Sequence, residues 1–204
     1  TNPTQRYHVA KSISNIDYNE GEVISLTPLQ AGLAANALYL ADGERSPYHV
    51  NALFVFSGDM NENAFERAWK KTFSYFEPLR LGVFEASNGE LLGILADPIK
   101  GLLEKPVLDG SRDEIISALK KYDSQNPFNM DGQLLTRCYL TKLNRDEFAL
   151  LISHHHLVMD GWSFQKVADF LSKAYIDEIS GIKNNVQITD MLNKPALPWS
   201  GYLK

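Results

Sequence analysis

The chain has 204 residues, 44% apolar and 22% charged, the proportions of an ordinary globular protein with room for one sizeable core or two small ones. Its 20 Lys and Arg against 25 Asp and Glu leave a net charge of −5, and no basic cluster runs beyond Lys70-Lys71 or Lys120-Lys121, which argues against a nucleic-acid surface. No apolar run reaches the ~18 residues of a membrane span, no secretory signal is visible at the start, and the one cysteine, Cys138, cannot form an internal disulfide, so a cytoplasmic setting is expected.

In chain order, residues 1–22 are polar, lack a sustained period and read as a leader, linker or docking segment. Thr27-Pro28-Leu29-Gln30 opens the first firm helix: Thr27 and Gln30 have the spacing of a capping box, and Pro28 suits the first helical position. Tyr48 to Phe56 reads as a strand. Asn61 is the expected N-cap of a helix that carries Phe65, Ala68, Trp69 and Phe73 on one face. Pro78 ends that helix, and Leu79 to Phe84 is expected to be a strand. Asn88-Gly89 then marks the turn of a hairpin over residues 79–97.

Pro106 to Leu108 suggests another short strand, and Ser111 with Glu114 a second capping box that opens a helix to about Tyr122. Leu134 to Leu143 and Glu147 to Ile152 are expected strands, joined by a turn at Asn144-Arg145-Asp146. A last helix from Ser163 to about Ile179 places Phe164, Val167, Ala168 and Leu171 on its buried face, with Gly181 as C-cap. Helices and strands alternate without repeats, so the expected fold class is α/β, a mixed sheet flanked by helices. The close, Trp199-Ser200-Gly201-Tyr202-Leu203-Lys204, begins a new aromatic segment and stops, so a fragment of a longer protein is expected.

Chemistry concentrates in Ser153-His154-His155-His156-Leu157-Val158-Met159-Asp160-Gly161-Trp162-Ser163, between the apolar run Phe148–Ile152 and the last helix. Successive side chains of an extended segment point to opposite faces, so His155 and His156 cannot both face one substrate. One is expected to enter a cleft as a base, since imidazole titrates near neutrality, and the other to enter the protein body. Asp160 could orient that imidazole or hold the loop by pairing with a cation. Gly161 would let the backbone turn, and Ser163 could cap the helix. Two other readings compete: partly buried strand-end histidines making ordinary hydrogen bonds, and a metal site built from His154, His156 and Asp160, which lacks a fourth ligand.

His155-His156-x-x-x-Asp160-Gly161 followed by Trp162-Ser163 resembles the active-site motif of the condensation domains of non-ribosomal peptide synthetases. Leu26-Thr27-Pro28-Leu29-Gln30-Ala31-Gly32 resembles that family's opening helix motif. Phe76-Glu77-Pro78-Leu79-Arg80 resembles its next one, without the customary His, and Pro127-Phe128-Asn129 with Leu134-Leu135-Thr136-Arg137 resembles the run before the active-site strand. The resemblance spans residues 23 to 202 and implies the N-terminal lobe of a chloramphenicol-acetyltransferase-like fold, with the second lobe absent. It implies a site between lobes, fed by donor and acceptor carrier proteins through 4'-phosphopantetheine arms, with no tightly bound cofactor and an adenylation domain nearby.

On the same resemblance the catalytic motif is His155, His156, Asp160 and Gly161. His156 is the second, working histidine, either deprotonating the acceptor amine or positioning it. Asp160 is a structural partner of Arg80, and Gly161 supplies the turn and a backbone N–H. An epimerisation domain carrying the same signature, and a non-catalytic docking module, are the alternative functions. A lone lobe is expected to be inactive and to self-associate through an exposed apolar patch.

Overall fold

The protein is described by a computed structural model over residues 21–39, 46–98 and 101–180. Residues 1–20 of the leader expected over 1–22, the C-cap at Gly181 and the closing aromatic segment lie outside the described residues, and Glu22 at the expected leader's end already opens a strand.

The elements run β1 (Glu22–Ser25), α1 (Pro28–Leu38), β2 (His49–Ser57), α2 (Glu62–Tyr75), a 3₁₀ turn (Glu77–Arg80), β3 (Leu81–Glu85), β4 (Leu91–Leu95), α3 (Arg112–Ser124), β5 (Asp131–Leu134), β6 (Thr136–Lys142), β7 (Glu147–His155) and α4 (Gly161–Ser180). Local chemistry accounts for most boundaries. Thr27 closes the capping box of α1, with its N–H and hydroxyl donating to Gln30 Oε1 at 2.9 Å each. Asn61 caps α2 by accepting the Ala64 N–H at 3.0 Å, and Ser111 and Glu114 box the start of α3. Gly89, at φ 81°, occupies the left-handed conformation that the β3–β4 turn requires.

The α/β class holds, but the strands divide into two antiparallel sheets instead of one mixed sheet: β1-β4-β3-β5 and β2-β7-β6. Leu135 is the hinge between them. Its N–H donates to Leu81 O in the first sheet at 2.9 Å, and its carbonyl accepts from His155 N in the second at 2.9 Å. The single strand expected from Leu134 onward therefore breaks there, since one backbone residue serves both ladders. Leu79 and Arg80 lie in the 3₁₀ turn that Pro78 initiates, not in a strand. The run Pro106–Leu108 forms no strand, and the nearest pairing is an isolated bridge between Glu104 and Tyr139. The four-residue β1 has no counterpart among the expected strands, because it is too short to show an alternation.

The second sheet is covered on both faces, which explains why β7 is buried throughout its length apart from Glu147. One face, with Phe148, Leu150 and Ile152, packs with α2 and α4 in the main core, which also holds Trp69, Phe73, Val167 and Leu171. The other, with Leu53, Tyr139, Ala149 and Leu151, packs under Ile115 and Leu119 of α3. α2 and α4 are also tied at the surface, where Arg67 and Lys71 both pair with Glu178.

Candidate active site

β7 delivers the three histidines to three different environments. His154 points to the α4 face, 3% exposed, its ring stacked on Phe164 at 5.7 Å while Phe164 stacks on Phe54 at 6.2 Å. Burial, then repulsion from His156 and His49, pushes its pKa down to about 4. His155 points to the opposite face and is fully buried. Its Nδ1 accepts the Leu157 N–H at 3.2 Å, so that nitrogen holds the lone pair and the ring proton sits on Nε2, which donates to Ser46 Oγ at 3.3 Å. Burial, then repulsion from His49, His154 and His156, holds this ring at a pKa of about 4, neutral at pH 7.

His156 is the exposed member, on the first residue past the strand. Its backbone N–H donates to Tyr48 O at 2.7 Å, and its ring Nδ1 donates to Met159 O at 3.0 Å. Because a carbonyl accepts only from N–H, Nδ1 carries a proton, and in the neutral ring the lone pair is then on Nε2. A neutral imidazole with a fixed tautomer and an accessible Nε2 can take up a proton or accept a hydrogen bond from an amine. Of the three rings only this one is placed to do so. Among the described residues no group of three His, Cys, Asp or Glu side chains could hold a metal ion.

Asp160 is not bound to Arg80. Its Oδ1 accepts the Ser163 N–H at 2.8 Å and its carbonyl accepts from Phe164 N at 2.8 Å, so Asp160, not Ser163, caps α4. The backbone N–H of Ser163, then its hydroxyl, hold the Asp160 carboxyl below the usual carboxylate range. Arg80 Nη1 instead donates to Ala96 O at 2.9 Å, and Nη2 lies 3.8 Å from Glu77 Oε1. The free N–H groups of a helix start compete for Asp160 from three residues away, whereas Arg80, in the 3₁₀ turn, meets the end of β4 first.

Gly161 also departs from expectation. It is the first residue of α4, it has no positive φ, and a Cβ built on it would meet nothing within 4 Å. Neither a turn nor packing among the described residues requires glycine there. Trp162, the next residue, is 85% exposed at the same end of α4.

Several residues that hold the site were not legible as such. Tyr48 and Met159 act through carbonyls, and Ser46 through a hydroxyl across 109 residues. Gln30 Nε2 donates to Leu157 O at 3.3 Å across 127 residues; its capping box was visible in sequence, its reach to the loop was not.

A buried Ser–His–Asp set also lies on the α3 side. His49 Nε2 is 2.7 Å from Ser153 Oγ and 2.9 Å from Asp123 Oδ2, and Ser153 Oγ donates to Asp123 Oδ2 at 3.0 Å. Both partners meet the same imidazole nitrogen, so no unprotonated nitrogen faces the serine and the set is no nucleophilic triad. Burial alone would raise the Asp123 pKa, but the His49 and Ser153 hydrogen bonds and the Arg137 charge outweigh it and leave the carboxyl below its ordinary value. The cluster fastens α3 to β2 and β7.

The model of the condensation domain family matches residues 20–187. The chain belongs to the condensation domain family. Among curated proteins it is 28% identical over 162 residues to bacitracin synthase 1 of Bacillus licheniformis, covering 75% of this chain and 3% of that protein. It is 30% identical over 173 residues to malpinin synthetase of Mortierella alpina, covering 79% and 2%. The fold matches the starter condensation domain of rhizomide synthetase RzmA at a TM-score of 0.65, with 21% identity, covering 78% of this chain and 38% of that one. It also matches the first condensation domain of the calcium-dependent antibiotic synthetase in complex with substrate analogue 3a at 0.67, with 17% identity, covering 78% and 40%. The chain thus spans about two fifths of these solved condensation domains and a few per cent of the synthetases.

Proposed function

We infer that residues 23–204 are the N-terminal lobe of a peptide-synthetase condensation domain in which His156 serves amide formation between a donor acyl or peptidyl thioester and an acceptor aminoacyl group. Both groups would arrive on phosphopantetheine arms of carrier proteins, with an adenylation domain adjacent in the synthetase. The observation that carries this reading is the state of His156: exposed, with Nδ1–H bound to Met159 O and Nε2 free to face a substrate amine. In the step, the amine nitrogen attacks the thioester carbonyl and the carbon–sulfur bond breaks. The amine's proton is received at His156 Nε2, or held there by a hydrogen bond while the thiolate leaves and takes it up. His155 and Asp160 act on the protein, one pinning the loop backbone and the other starting α4. The missing Cβ of Gly161 leaves room for a substrate group beside the first N–H groups of that helix.

The test uses the complete domain in its synthetase with loaded donor and acceptor carriers, and reads the carrier-bound product by mass spectrometry. A new amide that disappears in His156→Ala is the expected result. An unchanged chain that acquires deuterium at its α-carbon would establish epimerisation instead, and neither product would leave a docking role. The 204-residue chain alone is expected to give no turnover, because it spans only about two fifths of the solved condensation domains it matches.

A further inference from the structure

We propose that Gln30 is a positioning residue for His156, acting through the carbonyl of Leu157. This rests on His156 being the working group.

Hydrogen bonds hold the His156 ring and the backbone N–H groups of residues 156–158. The His156 N–H is bound to Tyr48 O at 2.7 Å, and the following peptide N–H, that of Leu157, to His155 Nδ1 at 3.2 Å. The ring itself is held at Met159 O at 3.0 Å, and the next N–H, that of Val158, donates to His155 O at 2.9 Å. The Leu157 carbonyl remains, and Gln30 Nε2 donates to it at 3.3 Å from a side chain that is 7% exposed. It is the one contact in this set that comes from outside the second sheet and its loops.

The orientation of the Gln30 amide follows from its other end. The Thr27 backbone N–H can only donate, so the atom facing it at 2.9 Å is Oε1, and Nε2 must face Leu157 O, an acceptor. One amide therefore caps α1 with its oxygen and fixes the active-site loop with its nitrogen. α1 is anchored independently by Ala34 in the main core, so the contact ties the loop to an element packed elsewhere. An acceptor at Nε2 would face the Leu157 carbonyl with no proton between them, leaving a buried carbonyl unpaired and shifting the peptide that follows His156.

The two roles separate by mutation. Gln30→Glu keeps an acceptor for Thr27 and favours a helix start, but deletes the donor to Leu157. Thr27→Ala weakens the cap while the residue 27 N–H still orients the amide. In the complete domain, Gln30→Glu is expected to lower kcat for amide formation about tenfold with KM nearly unchanged, as loss of one transition-state-positioning hydrogen bond does. Thr27→Ala is expected to lower stability and leave kcat within about twofold. Hydrogen exchange supplies a readout independent of turnover: Gln30→Glu should speed exchange across residues 153–163 and leave 28–38 unchanged. Faster exchange confined to 28–38, or equal kcat in Gln30→Glu and wild type, would show that Gln30 is a cap and nothing more. If the wild-type domain forms no amide, the functional reading fails by itself, and the exchange pattern still decides whether Gln30 holds the loop.

Discussion

Acidification should destabilise this fold well above the range where its carboxylates titrate, because two buried imidazoles must be charged. His154 and His155 have pKa values of about 4, where an unconstrained histidine titrates near 6.5. Folded-state depression means that the unfolded chain binds the extra protons first. Stability is therefore whole above pH 6.5, declines as the pH falls through the interval, and is fully lost for these groups below pH 4. A drop of that size is worth about 3 kcal/mol for one ring, and less than twice that for both, since part of each depression is repulsion by neighbouring imidazoles. Such a loss is a large share of the ~5–15 kcal/mol that a domain has. Asp123 works in the same direction but only below its ordinary value of 3.8, so it does not contribute to the slope between pH 7.5 and 4.5. Urea unfolding followed by far-UV circular dichroism at pH 7.5, 6.5, 5.5 and 4.5 should show a midpoint that falls steadily at constant m. His155→Asn, whose side-chain oxygen can still accept the Leu157 N–H but which does not titrate, should remove about half of the slope. A midpoint independent of pH over this interval, or an undiminished slope in His155→Asn, would refute the argument.

Four further outcomes follow from the same geometry. Asp123→Ala should cost about 3 kcal/mol or more in urea unfolding, because it strips the shared acceptor from the buried His49 and Ser153 and from the half-buried Asn51. Gly161→Ala should leave thermal stability unchanged or raise it by up to about 1 kcal/mol, since Ala is the better helix residue and its Cβ has open space, while turnover of the complete domain falls. Arg80→Ala should cost about 1 kcal/mol by calorimetry through the lost bond to Ala96 O and leave hydrogen exchange in the first turn of α4 unchanged. Asp160→Ala should speed that exchange.

Features decided within three or four residues were legible in the chain itself. Thr27 with Gln30, Asn61, Ser111 with Glu114 and Asn88-Gly89 announce their caps and turn because the interacting groups are close in sequence and their partners are obligatory backbone donors. The alternation of an extended strand likewise separates His155 from His156 by sequence alone. The pairing of Arg80 with Asp160 was not decidable that way. It depended on which of several partners each charged group meets first, and a helix start three residues away won Asp160.

The same limit governs the rest of the site. Leu135 looks like any strand residue, yet it hands the chain from one sheet to the other because Leu81 O and His155 N both lie within reach. His49, Asp123 and Ser153 carry no shared motif, being 74 and 104 residues apart in the pairs that His49 makes, and Gln30 reaches Leu157 across 127. Local hydrogen-bond chemistry and periodicity specify elements and the faces they present. Which buried donor finds which acceptor is settled only when packing desolvates them together, because an unpaired polar group is costly inside the core and harmless outside it.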